Sequence, residues 1–300
     1  MGIFNKLIVS TIPLVPRAIV RKFANKYIAG DTLQEAVDVT KRLNEKGIMT
    51  TMDVLGEDVF NRSDAEKSAK ECVEVLDAIE KNKLVSNHSL KLTSLGLKID
   101  FDFCLENLSA ILEKAASMGQ FVRLDMEDHT CTDDTLRVYE AAYKKHPKCG
   151  VVIQSYMRRS WDDVSKLVKT GTNFRLCKGI YVEPEEIAYK KREEVQQNYL
   201  KLLRLMFENG CYVGIATHDD VLIDGAYKMI KEFNKKPEEY EFQMLIGVRE
   251  NLRDKIKNDG HRIRIYVPFG SHWYGYSIRR FKENPQVAGY IIKSIFGGNK

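Results

Sequence analysis

Short apolar or alternating runs recur eight times along the chain, separated by stretches patterned for helices. The runs are "GIMTTMDVLG" (47–56), "HSLKLTSLG" (88–96), "FVRLDMED" (121–128) and "GVVIQSYM" (150–157). They continue with "NFRLCKGIY" (173–181), "CYVGIATHD" (211–219), "YEFQMLIGV" (240–248) and "RIRIYVPFG" (262–270). Between them lie amphipathic segments such as "SDAEKSAKECVEVLDAIEKN", with Ser63 or Asp64 as its N-cap, and "EEVQQNYLKLLRLMFENG", which closes on Gly210. Strands alternating with helices imply right-handed crossovers and a parallel sheet. Eight of them predict an α/β chain closed into a (β/α)8 TIM-type barrel. No linker or repeat divides it, so residues 1–300 read as one domain, with N-terminal helices over 1–46 and the barrel over 47–300.

Polar residues gather where a barrel keeps its chemistry, at the C-terminal ends of the strands. Asp53 and Glu57 follow the first, Lys91 and Thr93 lie on the second, Asp125 and Glu127 on the third, and Gln154 on the fourth. Arg175, Lys178 and Tyr181 mark the fifth, Thr217, His218 and Asp219 the sixth, Gln243 and Arg249 the seventh, Arg264 and Tyr266 the eighth.

Composition changes this picture little. The chain is 44% hydrophobic and 30% charged, and its formal charge of +5 comes from basic residues spread along its length. That balance gives no footprint for nucleic acid, and no Walker loop or GxGxxG is present. The six cysteines are scattered without a CxxC, which suits a reducing cytosol. Near the start, "RAIVRKFANKYIAG" mixes apolar residues with Arg17, Arg21, Lys22 and Lys26. It reads either as a helix capping the domain or as a basic amphipathic helix resting on a membrane surface.

The candidate chemistry leaves alternatives open. Asp125, Glu127 and His129 in "RLDMEDH" offer ligands to a hard divalent metal. Lys91, Arg175 and Lys178 already answer those carboxylates, which favours an ion-paired network around an anionic ligand over a metal. Lys91 is a Schiff-base nucleophile or a permanent cation facing a carboxylate, and a barrel aldolase using Lys91 or Lys178 is the rival enzyme. His218 is a satisfied strand-end histidine or a ligand contact. In "YSIRRFKENP", Arg279, Arg280 and Glu283 form a solvated helical face or an anion clamp.

At these residues the chain resembles a known family. "HSLKLTSLG", "RLDMEDH", "VVIQSY", "RLCKGIYVEP", "ATHD", "EFQMLIGVR", "RIYVPFG" and "RRFKENP" look, in order, like the strand motifs of proline dehydrogenase, in its bacterial monofunctional form. The resemblance implies a distorted barrel holding FAD at its strand C-termini. It implies oxidation of L-proline to Δ1-pyrroline-5-carboxylate by hydride transfer from proline C5 to flavin N5, with a membrane quinone as electron acceptor. Pyrroline-5-carboxylate dehydrogenase would be the pathway neighbour, and the place the cytoplasm or the inner face of the cell membrane.

Carried residue by residue, Arg279 and Arg280 resemble the pair that holds the substrate carboxylate, with Lys91 as a third cation. Asp125 and Arg175 match catalytic positions, Arg175 standing beside the flavin. Met126, Gln154, Lys178, Gly179, Ile180, Thr217 and His218 match FAD-contacting segments, as does Arg192 at the phosphates. Tyr181, Leu245 and Tyr266 should wall the proline ring, Glu283 orient the arginines, and Glu57 pair with Arg279 as a gate. Tyr266 disfavours a hydroxyl on the ring, hence proline over 4-hydroxyproline. Cys177 and Ile180 depart from the valine and alanine common in the family. Adjacent arginines lie about 100° apart on a helix, so both reach one carboxylate only if the last helix lies over the barrel mouth.

Overall fold

The computed structural model describes residues 20–21 and 24–283, with side chains described up to residue 278. Arg279, Arg280 and Glu283 lie on a described helix, but their side chains fall outside that description.

Eight parallel strands close into a barrel: β1 (Met49–Val54), β2 (Ser86–Leu90), β3 (Val122–Leu124), β4 (Cys149–Gln154), β5 (Asn173–Cys177), β6 (Val213–Ala216), β7 (Tyr240–Leu245) and β8 (Ile263–Phe269). Closure runs from Met49↔Arg264 to Val54↔Phe269, the register joining β1 to β8. The apolar runs overshoot these strands at their C-terminal ends. After Leu90 the chain leaves the sheet, turns through a 3-10 segment (Leu92–Leu95) and ends it at Gly96, whose φ of 95° a side chain would resist. Lys91 is therefore the first residue past β2, not a strand residue within "SLKLTSL". The overshoot has a physical cause: loop residues that bury themselves over the barrel mouth are as apolar as the strands below them.

The described helices include α1 (Leu33–Glu45), α2 (Arg62–Lys81), α3 (Phe101–Ser117), α4 (Thr132–Tyr143), α5 (Ser160–Leu167), α6 (Arg192–Glu208), α7 (Asp220–Glu232), α8 (Glu250–Asn258) and α9 (Trp273–Glu283). Capping follows short polar side chains. Thr32 and Glu35 form a reciprocal capping box on α1. On α2 the cap is Asn61 rather than Ser63 or Asp64, its Oδ1 accepting from Asp64 N–H at 2.9 Å. The chain leaves α6 at Gly210, as its position predicts.

The two ends of the chain exchange places. In a regular barrel the helix after β8 packs outside β8 and β1. Here α1, which precedes β1, packs against both strands and contributes Ala36, Val37 and Leu43 to the main core. A fully buried aliphatic side chain of this size adds about 1.5–3 kcal/mol, so the slot is firmly taken. Helix α9 instead packs through Tyr276 against Val20, Ala24, Tyr27, Ile28 and Leu55, with Val248 alongside. Leu55 follows β1 and Val248 follows β7, so α9 lies at the C-terminal mouth, as the paired arginines require. Among the described residues no helix is long and apolar enough to cross a membrane.

Candidate active site

The barrel interior at its C-terminal end holds charge, not aliphatic layers. Asp125, just past β3, accepts from Arg175 Nη1 and from Ser89 Oγ, each at 2.6 Å on Oδ1, and from Tyr266 Oη at 2.9 Å on Oδ2. Lys91 Nζ stands 3.9 Å from Asp125 Oδ2 and 3.1 Å from Asp53 Oδ2. Arg175 also donates from Nε to Gln243 Oε1 at 2.6 Å, and its Cζ lies 5.3 Å from the Tyr266 ring centre. Asp53, Asp125 and Arg175 are all buried. Their Nη2 and Oδ1 atoms tell where the network stops: Arg175 Nη2 and Asp53 Oδ1 are buried without a hydrogen-bond partner.

Burial and partners push these groups apart. Burial raises the Asp125 carboxyl, but Arg175 and then Lys91 outweigh it and hold it below the usual aspartate range. Asp53 goes the other way, because burial exceeds what Lys91 returns and the Asp125 charge adds to it. Lys91 loses charge stability by burial yet is held well above the ordinary lysine value by Asp53 and Asp125. Paired with Asp53 and facing Asp125, the Lys91 ammonium is placed as a held cation, which speaks against the Schiff-base reading.

Asp125, Glu127 and His129 do not converge on a metal. Asp125 faces Arg175, His129 pairs with the buried Glu183, and Glu127 turns to Thr93. Among the described residues no three His, Cys, Asp or Glu side chains are placed to hold an ion. Glu127 accepts from Thr93 N–H at 3.1 Å and from Thr93 Oγ1 at 2.5 Å, and Thr93 Oγ1 accepts from Asp58 N–H at 3.1 Å. This ties the loop carrying Glu57 to the end of β3, and Glu57 lies close enough to act on the charges of Lys91 and Glu127.

Burial pushes the Glu127 carboxyl up to about 7. The folded state thus binds the Glu127 proton more tightly than the unfolded chain, so folding stability falls as pH rises from the usual glutamate value to about 7. A shift of this size corresponds to roughly 3 kcal/mol. Glu127→Gln keeps the shape and the acceptor for Thr93 N–H while removing the titration. Urea unfolding should find the variant as stable as the parent near pH 4 and more stable at pH 8. Equal stabilities at both pH values would show that Glu127 carries no such burden.

A second group of side chains lies beside β5 and β6. Asp219, the N-cap of α7, is buried and accepts from Lys178 Nζ at 3.3 Å, Arg192 Nη2 at 3.1 Å and Gln196 Nε2 at 3.0 Å. Burial opposes its charge, but Lys178 and these donors hold its carboxyl low. Two partly exposed cations thus share one carboxylate, and the surplus positive charge suits a phosphate. Thr217 Oγ1 accepts from Asp219 N–H. Gly179 has a φ of 108°, and an added Cβ would lie 2.2 Å from the Tyr156 ring, so only glycine fits. Beyond it Ile180 and Val182 are exposed apolar side chains. Gln154 and Met126 are buried at the mouth, Gln154 Nε2 donating to Glu127 O at 2.7 Å. His218 Nε2 accepts from Leu245 N–H at 3.0 Å, the strand-end arrangement, and that bond links β6 to β7.

The structure therefore brings Lys91, Asp125, Arg175 and Tyr266 into one cluster, with Tyr181 near enough to act on the charge of Lys91. Leu245 stands beside Tyr266 in the β7–β8 register. Lys178 and Arg192 form the second group. Asp53 and Asp219 stood among the polar strand ends without a role assigned to them, and Ser89 was passed over, although a polar residue inside the apolar run of β2 is the signal that would have found it.

Buried cations and carboxylates gathered at the C-terminal mouth of a closed (β/α)8 barrel define a barrel enzyme with its polar site at that mouth. The family model described as proline dehydrogenase matches residues 36–291. Proline dehydrogenase 1 of Bacillus subtilis subsp. natto is 36% identical over 272 residues, covering 91% of this chain and 90% of that protein. Proline dehydrogenase of Deinococcus radiodurans is 32% identical over 280 residues, covering 92% and 90% respectively. The crystal structure of proline utilization A (PutA) from Bdellovibrio bacteriovorus, inactivated by N-propargylglycine, matches with a TM-score of 0.82 at 26% identity. That match covers 93% of this chain, which spans 34% of the longer protein. The chain belongs to the proline dehydrogenase family, and its reaction is the oxidation of proline in proline catabolism.

Proposed function

We propose that the chain oxidises L-proline to Δ1-pyrroline-5-carboxylate with FAD as cofactor and a membrane quinone as the final electron acceptor. The observation that carries this reading is Arg175: a buried guanidinium tied at Nε and Nη1, with Nη2 left over, whose partner Asp125 also faces the cation Lys91. The residues present suit FAD. Lys178 and Arg192 would hold its phosphates, the glycine turn at Gly179 with Ile180 would let it approach the backbone, and Met126, Gln154, Thr217 and His218 would contact it. FAD, when bound, supplies a two-electron acceptor at N5 and a route for those electrons to the quinone.

The chain's own residues do the rest. Lys91, with Arg279 and Arg280 from α9, binds and orients the proline carboxylate. Tyr181, Leu245 and Tyr266 wall the ring, Glu283 orients the arginines, and Glu57 pairs with Arg279 as a gate. The Tyr266 ring disfavours a hydroxyl on the substrate ring, hence proline over 4-hydroxyproline. Arg175 supplies fixed positive charge where negative charge develops. As hydride leaves C5, the amine lone pair forms the C5=N bond, so the amine must be neutral. Asp125, held ionised by Arg175 and Lys91, is a poor proton acceptor and serves to hold those cations. Contact with the membrane is peripheral, at its inner face, where the quinone is met.

Purified protein should be yellow, and its flavin band should bleach anaerobically on addition of L-proline. A protein that takes up no flavin and leaves proline unchanged when FAD is supplied refutes the reading. Arg280→Met should raise KM for proline by about 10-fold or more while FAD stays bound, as loss of a charge-assisted contact worth 1.5–3 kcal/mol demands. Loss of FAD from that variant would reassign the arginine to the cofactor.

A further inference from the structure

Arg175 is held from the barrel floor as well as from the mouth. Its Nε donates to Gln243 Oε1 at 2.6 Å, and Gln243 Nε2 donates to Glu241 Oε1 at 2.6 Å. The Glu241 carboxylate is clamped by Arg264, Nε to Oε1 at 2.6 Å and Nη2 to Oε2 at 3.0 Å, and receives Tyr212 Oη at 2.8 Å. A polar column thus crosses the barrel core from Asp125 to Arg264.

The column has a direction. An amide offers an acceptor on one side and donors on the other, and an ionised carboxylate only accepts. Burial opposes ionisation of Glu241, but Arg264 and Tyr212 overcome it and hold the carboxyl down to about 2. Glu241 therefore claims the NH2 of Gln243 and leaves the oxygen to Arg175. The backbone makes room for this amide: Gly214 sits opposite on β6, and a Cβ there would lie 2.4 Å from Gln243 Nε2.

We propose that Gln243 is a positioning residue for the oxidation: by accepting from Nε, with Glu241 locking its amide, it fixes the guanidinium plane of Arg175 so that Nη2 alone is left for the reacting partners. This rests on the proposed role of Arg175 with FAD. A guanidinium held only at Nη1, by Asp125 and Ser89, could swing about that nitrogen, and a fixed one needs no reorganisation as charge develops.

Two variants perturb the column independently. Gln243→Leu removes the acceptor, and Gly214→Ala pushes the amide aside without removing it. With FAD supplied, both should bind flavin, lose kcat by about 10- to 100-fold per bound flavin, and change KM little, the pattern for misplacement of a group that acts in the transition state. Nitrogen-15 NMR of arginine Nε–H groups gives a readout apart from turnover: a slowly exchanging Arg175 resonance, assigned by its loss in Arg175→Lys, should exchange freely in both variants. An unchanged kcat per bound flavin, or an Nε–H that stays protected in both variants, overturns the proposal. If the parent protein itself fails to oxidise proline, the functional reading falls while the exchange measurement still decides the positioning.

Discussion

Arg175→Leu should lower kcat for proline oxidation by about 10²- to 10³-fold, the cost of removing one preorganised donor from the place where charge develops. The reason lies in its setting. Arg175 is buried, bonded to Asp125, Ser89 and Gln243, and keeps Nη2 unpartnered. Leucine supplies comparable bulk without charge, and Asp125 keeps Ser89, Tyr266 and the more distant Lys91. Flavin content and turnover are to be measured together, because the claim concerns kcat per bound flavin. A variant with parental turnover per flavin would remove Arg175 from the chemistry.

Asp125→Ala should be the most destabilising single change in the cluster. It strips the carboxylate from Arg175 and leaves Lys91 with Asp53 alone. Breaking a buried, hydrogen-bonded ion pair from one side costs about 3–5 kcal/mol, or roughly 5–8 °C in Tm for a chain of this length. Asp125→Asn, which keeps an acceptor for Arg175 and Ser89, should lie between the parent and the alanine variant. The pH dependence has a definite sign. Because the folded-state carboxyl is held below its usual range, its contribution is fully present above the ordinary aspartate value near 4 and is lost as pH falls further. The parent should therefore lose stability on acidification more steeply than Asp125→Asn. Parallel stability curves for the two proteins between pH 6 and pH 3 would contradict the pairing.

How much of the site was legible can be judged from single residues. Asp125 and Arg175 are charged positions within strand-like runs, so they had to face a polar interior or a ligand. That they meet at 2.6 Å follows from the closure of the barrel, which brings β3 and β5 together across the axis. Lys91 was visible as a cation in an apolar run, but its choice between nucleophile and fixed charge depended on Asp53, on a different strand. Asp219 was visible only as one of three polar residues ending the sixth strand, and only the fold shows that Lys178 and Arg192 both pair with it. His218 was evenly balanced in sequence until the neighbouring strand put Leu245 N–H against its Nε2.

By itself the sequence determined the number of strands, their parallel order and the end of the barrel where polar side chains collect, because period and punctuation are local properties of the chain. The tertiary structure decided which charges neutralise one another, which are left over, and that α1 fills the slot beside β8 so that α9 lies at the mouth. Those outcomes depend on distances between residues remote in sequence, and Coulomb and hydrogen-bond energies change over an ångström or two.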